Sequence, residues 1–240
     1  MNLNFRSAPR LNDRPIDLIG FDLDGTLVDS SRDIAAALNH MLGSIGRAPL
    51  PLDVVHAMTG GGARHLILTA CEATGGLDGL DMDALLDVQL RYYADHAAEH
   101  SRLFDGVVAA LDALDAMGVT CAVATNKHEH LARLLLDQLG IGDRMAFVIG
   151  GDTLGPGRAK PHPDMLLAMM DDCGTKNAAF VGDTAYDVGA AAAAGIPSIF
   201  VDFSAQPITP CPLGADFRIH HFDELVPLLT ANSMAEFAAF

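Results

Sequence analysis

The sequence predicts an α/β fold, a doubly wound parallel sheet interrupted by an inserted α-helical domain. Three features lead there. Residues 16–22 are apolar on both faces, as in a central parallel strand covered by helices. From Phe104 onward, short apolar runs alternate with helix-period stretches in the βαβ manner. Between these two regions only helical patterning occurs, whereas a crossover between neighbouring parallel strands usually needs one helix.

Taken in order, residues 1–14 hold Arg6, Pro9, Arg10, Asn12, Asp13 and Arg14 without periodicity and read as a flexible entry segment. The strand at 16–22 runs into Asp22-Leu23-Asp24-Gly25-Thr26. Ile34, Leu38, Met41, Leu42 and Ile45 then recur at helix-face spacing, with Gly46 placed to end the helix. Further helices are expected at 51–58, 63–73 and 82–100, separated by Gly60-Gly61-Gly62 and Gly75-Gly76. The helical domain therefore spans 30–103, and the α/β core comprises 15–29 and 104–229. In the core, a helix at 106–117 stops at Gly118 and a strand follows at 119–125. A helix at 127–139 ends before Gly140, then come a strand at 146–150, a helix at 163–173, a strand at 178–183, a helix at 185–194 before Gly195, and a strand at 197–202. A last strand at 216–219 and a short helix at 223–229 complete the core. Residues 207–212 read as loop, and 230–240 as a tail that docks or frays.

Composition limits the function. The 240 residues are 50% hydrophobic, ample for a core, yet no apolar run approaches the ~20 residues needed to span a bilayer. The start, Met1 to Arg6, lacks the apolar segment of a signal peptide, so the expected location is cytoplasmic. Cys71, Cys121, Cys173 and Cys211 are scattered and form no C-x-x-C pair, which suggests buried free thiols. A net charge of −16 repels a phosphate backbone and makes nucleic acid an unsuitable partner. The same field repels a small anion, so an anion site here needs local positive charge.

Ligands of open parallel sheets bind beyond the carboxyl ends of the strands, and there the polar residues gather. Asp22 and Asp24, two apart in an extended segment, project together where the first strand ends. Such a pair repels itself, and burial raises its pKa values further, so a cation or a shared proton is implied. Thr125-Asn126-Lys127 closes the strand at 119–125. Lys160-Pro161 lies in the loop after 146–150, and Gly182-Asp183-Thr184 closes 178–183 with Asp187 in the next turn. Each has an ordinary explanation alone: an Asx turn, a helix N-cap, a solvated loop lysine, an exposed helix charge. Together they converge on one face.

In that order, Asp22-Leu23-Asp24-Gly25-Thr26, Thr125, Lys160 and Gly182-Asp183-Thr184-Ala185-Tyr186-Asp187 resemble the four motifs of the haloacid dehalogenase superfamily, over 16–225 and including a helical cap after the first motif. The resemblance implies that Asp22 is a nucleophile forming an aspartyl phosphate and that Asp24 is the general acid and base. It implies Mg²⁺ held by Asp22, the Asp24 backbone carbonyl and Asp183, with Asp187 orienting the site. Thr125 and Lys160, with Leu23 and Asn126, would bind the phosphoryl group. An acid/base aspartate two residues after the nucleophile favours phosphate chemistry over dehalogenation. Gly150-Gly151-Asp152-Thr153-Leu154, Lys160-Pro161-His162-Pro163 and Gly60-Gly61-Gly62-Ala63-Arg64 resemble bacterial phosphoglycolate phosphatases in particular.

The expected activity is therefore Mg²⁺-dependent hydrolysis of a small phosphomonoester, 2-phosphoglycolate first, by a monomer or homodimer with no membrane partner. Other sugar phosphates, pyrophosphate, a phosphosugar mutase reaction of the β-phosphoglucomutase type, and non-catalytic metabolite binding are the alternatives. Arg64 either pairs with a substrate carboxylate or is a solvated helix residue. Tyr92 and Tyr93 read as packing residues, Lys127 and His128 as exposed, and Arg158 and His162 as loop and helix-start residues.

Overall fold

The computed structural model describes residues 9–203 and 214–231. In chain order the elements are β1 (Arg10–Leu11), β2 (Arg14–Pro15), β3 (Leu18–Phe21), β4 (Val28–Asp29), α1 (Ser31–Ser44), α2 (Leu52–His56), α3 (Ala63–Thr74), α4 (Met82–Asp95), β5 (Arg102–Leu103), α5 (Val107–Ala116), β6 (Thr120–Ala124), α6 (Glu129–Gln138), β7 (Phe147–Ile149), α7 (Asp164–Asp172), β8 (Ala178–Gly182), α8 (Ala185–Ala194), β9 (Ser198–Val201), β10 (Phe217–Ile219) and α9 (Leu225–Thr230). Six strands form one parallel sheet in the order β10-β9-β8-β3-β6-β7. The strand that carries the aspartates is thus interior, with β8 and β6 on either side.

Alternation along the strands fills both faces. Ile19, Phe21, Cys121, Val123, Ala179 and Val181 pack with α5, α6 and α9, while Leu18, Ala122, Ala124, Ala178 and Phe180 pack with α7 and α8. Gly20 is the narrow point of β3: a Cβ there would meet Met169 Cε at 2.6 Å and Phe180 Cδ2 at 2.8 Å. A side chain at this position would push α7 away from the sheet. The helices α1 to α4 enclose a separate core of Leu38, Met41, Leu42, Val55, Ile67, Ala70, Cys71 and Leu85.

Three features differ from the sequence expectation. Residues 10–15 are not a flexible entry but an antiparallel hairpin whose Leu11 is buried in the main core; one buried leucine in so short a stretch leaves no periodic signal. A second antiparallel ribbon, β4 with β5, ties together the strands that lead into and out of the helical segment. The expected helix at 82–100 ends at Asp95, and the chain after it is held by Asp33 of α1, whose carboxylate accepts hydrogen bonds from the His100 and Ser101 backbone N–H groups and the Ser101 hydroxyl. Cys71 and Cys121 are buried thiols, and burial pushes Cys121 up to about 12. Cys173 is only partly buried, and Cys211, the 207–212 loop and the 234–240 tail lie outside the described residues. Among the described residues no helix is long and apolar enough to cross a membrane.

Candidate active site

The site forms where β3, β6, β7 and β8 end. After β3 the chain turns sharply: the Leu27 and Val28 N–H groups both donate to the Leu23 carbonyl, and Gly25 adopts φ +85° with its N–H donating to Val28. Only glycine fits this turn, because any Cβ at residue 25 would collide with the Asp183 carboxylate. Thr26 Oγ1 in turn donates to Asp183 Oδ1 at 3.0 Å. The first motif is therefore built against the fourth.

Asp22, Asp183 and Asp187 bring one carboxylate oxygen each within 4.8 Å of one another. Lys160 is buried among them, its Nζ 2.9 Å from Asp22 Oδ1 and 2.6 Å from Asp187 Oδ1. Burial alone would strip the ammonium of its proton, but Asp187 and Asp22 outweigh it and raise the lysine's pKa. Burial is also the largest influence on Asp22, which rises to about 6 despite Lys160; Asp187 adds to the rise. Asp183, partly open to solvent, is raised well above the usual carboxylate range by its enclosure and by Asp187 and Asp22. The Lys160 contact to Asp22 Oδ1 lies off the hydrogen-bonding direction, and that buried oxygen has no hydrogen-bond partner.

These facts decide whether a cation fits. Three carboxylates face one ammonium, an excess of negative charge that one divalent ion would cancel, and the donor set is entirely oxygen, which suits a hard cation of the Mg²⁺ type. Asp22, Asp183 and Asp187 would together hold it; the resemblance implies only an orienting task for Asp187, and here its Oδ1 also accepts from Lys160 and its Oδ2 from Thr184. Asp187 also forms the capping box of α8 with Thr184, so its rotamer is fixed from two sides.

Asp24 is turned away from this cluster. Its carboxylate accepts hydrogen bonds from Ser30 Oγ at 2.5 Å and from Lys127 Nζ at 3.2 and 3.1 Å. Lys127 corrects the sequence expectation: its side chain is 8% exposed, pressed 3.9 Å above the Tyr93 ring, and Asp24 is the largest influence raising its pKa against burial. His128 is half-buried, with its pKa lowered chiefly by that burial. Tyr93 is more than packing, since its buried hydroxyl faces the same pocket without a partner. The signal for Lys127 was its place in the strand-end run Thr125-Asn126-Lys127; for Gln89 and Tyr93 it was polar groups on the stripe that starts at Leu85.

Thr125 lies just past β6, its N–H donating to the Ile149 carbonyl and its hydroxyl accepting from the Lys127 N–H at 3.3 Å. Asn126 joins three segments. Its Nδ2 donates to the Gly60 carbonyl at 2.8 Å and the Lys160 carbonyl at 3.0 Å, and its Oδ1 accepts from the Lys160 N–H at 2.9 Å. The 150–153 run has a mechanical reading: Gly150 and Gly151 let the loop pass directly against 126–129, and Asp152 Oδ1 caps α6 by accepting from the Glu129 N–H at 2.8 Å. That cap is also why α6 starts at Glu129 rather than at 127.

The Gly60–Gly62 turn presses onto the core at Asn126 and Thr184, and between them lies a pocket of about 70 Å³. Asp22, Asp24, Thr125, Asn126 and Lys127 line one side; Gly60, Gly62, Ala63, Gln89 and Tyr93 line the other. Arg64 is not in its lining: the guanidinium is 58% exposed and pairs with Asp83. Arg158 pairs with Asp164 at the start of α7.

Comparison with known proteins agrees with this arrangement. Residues 19–201 match the model of the haloacid dehalogenase-like hydrolases. A phosphoglycolate phosphatase of Pseudomonas putida is 42% identical over 188 residues, covering 76% of this chain and 68% of that protein. One from Agrobacterium fabrum is 34% identical over 233 residues, covering 95% and 99%. Among solved structures, a predicted phosphoglycolate phosphatase from Haemophilus somnus superposes with a TM-score of 0.81 at 28% identity, covering 89% of this chain and 97% of that one. Because that family match spans residues 19–201, well over half of the sequence, the chain belongs to the haloacid dehalogenase-like hydrolase family.

Proposed function

We propose that this phosphatase hydrolyses 2-phosphoglycolate with Mg²⁺, through an aspartyl phosphate on Asp22. The observation that carries the substrate reading is the size of the pocket between Asp22 and the helical segment, about 70 Å³. A compact leaving group suits so small a pocket better than a hexose, which favours hydrolysis of a short phosphomonoester over the phosphosugar mutase reaction. The names of the curated relatives support the same substrate.

In this reading the Asp22 carboxylate attacks the phosphorus and displaces the alkoxide oxygen, so the difficult displacement is divided in two. Asp24 gives that oxygen its proton and later takes one from the water that attacks the phosphorus of the aspartyl phosphate. Thr125 Oγ1 donates to a phosphoryl oxygen, with the N–H groups of Leu23 and Asn126 beside it. Lys160, buried and held by Asp187, keeps its charge beside Asp22 and offsets the repulsion between two anions. Asp22, Asp183 and Asp187, with the Asp24 carbonyl as a further oxygen, would hold a divalent cation, whose charge would offset the repulsion between the nucleophile and the phosphate. Burial of these groups keeps water from competing until the phosphoryl group has transferred.

The test is phosphate release from a panel of small phosphomonoesters, pyrophosphate and hexose phosphates by the purified protein with Mg²⁺. The expected result is a preference for 2-phosphoglycolate and a loss of roughly 10³-fold or more in Asp22→Asn. Turnover retained in Asp22→Asn, or isomerised hexose phosphate without free phosphate, overturns the reading.

A further inference from the structure

The side of the pocket facing α3 and α4 carries groups that the chemistry at Asp22 does not use. Lys127 is the one lysine or arginine among the described residues lining it. An ammonium has three donors; Asp24 takes two of them, and the Tyr93 hydroxyl is the neighbour of the third. The Tyr93 hydroxyl and Gln89 Oε1 are both buried and without hydrogen-bond partners, and their residues sit one turn apart on the same face of α4. Turned about its terminal bond, the Gln89 amide presents an N–H in place of that oxygen. Burial raises the Tyr93 pKa, so its hydroxyl stays a donor at neutral pH. The start of α3 completes the wall: Gly60, Gly62 and Ala63 line the pocket, and no side chain caps this helix.

A charged ammonium, a hydroxyl proton, an amide and an uncapped helix start thus face one small pocket. Left unpaired, buried polar groups cost stability, and a small anion would satisfy them together. We propose that Lys127, Tyr93 and Gln89, with the start of α3, form the subsite for a carboxylate on the leaving group, and that Lys127 makes the protein select carboxylate-bearing phosphomonoesters. Arg64, exposed and tied to Asp83, is not part of the subsite. The inference rests on the phosphatase reading above and deepens it.

The test compares kcat/KM for 2-phosphoglycolate and for 2-hydroxyethyl phosphate, in which a neutral hydroxymethyl group replaces the carboxylate. Lys127→Met is expected to lower the first roughly 30- to 100-fold and the second less than about fivefold. Because Lys127 also holds Asp24, Tyr93→Phe is the second arm: it leaves that pair in place and is expected to cost roughly tenfold on 2-phosphoglycolate alone, mostly in KM. Equal losses on both substrates in Lys127→Met with Tyr93→Phe silent would confine Lys127 to Asp24 and overturn the subsite. A selective loss in Arg64→Ala as large as that of Lys127→Met would overturn it as well, as would preference for a bisphosphate. Glycolate binding by calorimetry needs no turnover. Binding that disappears in Lys127→Met and weakens in Tyr93→Phe supports the subsite even if 2-phosphoglycolate proves not to be the substrate; binding unchanged in both variants overturns it.

Discussion

Asn126→Asp changes one NH₂ group to an oxygen, yet the structure predicts a large effect. The Asn126 amide is fixed in one orientation, because Nδ2 faces two carbonyls, Gly60 and Lys160, while Oδ1 faces the Lys160 N–H. A carboxylate keeps the third bond and loses the first two, leaving an anion against two carbonyl oxygens in a site only 9% exposed. Two lost hydrogen bonds at about 1 kcal/mol each, plus the penalty of unsatisfied and opposed acceptors, come to about 3 to 5 kcal/mol. For a chain of this length that lowers Tm by roughly 10 °C. Asn126→Ala loses all three bonds but leaves space for water, so it should destabilise less than the isosteric aspartate. The deficit of Asn126→Asp should shrink as pH falls. Burial beside carbonyls raises the folded-state pKa of the new acid, so stability is lost as pH rises toward that value and regained below it, where the protonated acid can donate. Thermal melts of the two variants from pH 5 to 8, with kcat and KM at pH 7.5, test this. Since Lys160 loses one of its two backbone contacts to residue 126 in Asn126→Asp and both in Asn126→Ala, kcat should fall at least about tenfold. A Tm within about 3 °C of wild type for Asn126→Asp, or a lower Tm for Asn126→Ala, would refute the reasoning.

Two further predictions concern the cation and the glycine turn. Mg²⁺ should raise Tm by several degrees at pH 7.5 and by much less at pH 5, because protons compete for Asp22, whose pKa is near 6, and for Asp183; a shift independent of pH would count against the three-aspartate site. Gly62→Ala should lower kcat/KM at least about tenfold and stability by about 1 to 3 kcal/mol, since residue 62 has φ +84° and a Cβ there would sit 2.9 Å from the Asn126 carbonyl; kinetics and a melt matching wild type would show that the turn does not need to close on the core.

What could be read from the sequence was what repeats or sits at a strand end. The sheet is periodic, so its strands and helices appear within a few residues of their expected positions, and Asp22, Thr125, Lys160 and Asp183 were found because the C-terminal ends of parallel strands converge. The hairpin at 10–15 has no period to detect. Lys127 was misread because local sequence cannot say that a carboxylate three residues past the end of another strand, and a tyrosine on a helix of the inserted segment, will both close over it. Long-range pairing of that kind decides the state of a charged side chain, and a lysine beside a strand end is exposed or buried according to what arrives from elsewhere in the chain.

The same point explains why the two lysines of the site have different tasks. Lys160 is enclosed by Asp22 and Asp187, with its main chain clamped by Asn126, so all its freedom has been removed and its charge is committed to the nucleophile. Lys127 is held by Asp24 and lies against Tyr93, and it lines the pocket that Lys160 does not. Both carry positive charge into a chain of net charge −16, which would otherwise repel an anionic substrate. In the proposed reading a phosphomonoester with a second anionic group meets one cation beside Asp22 and another beside Asp24, and the placement of the two sets which leaving groups are accepted.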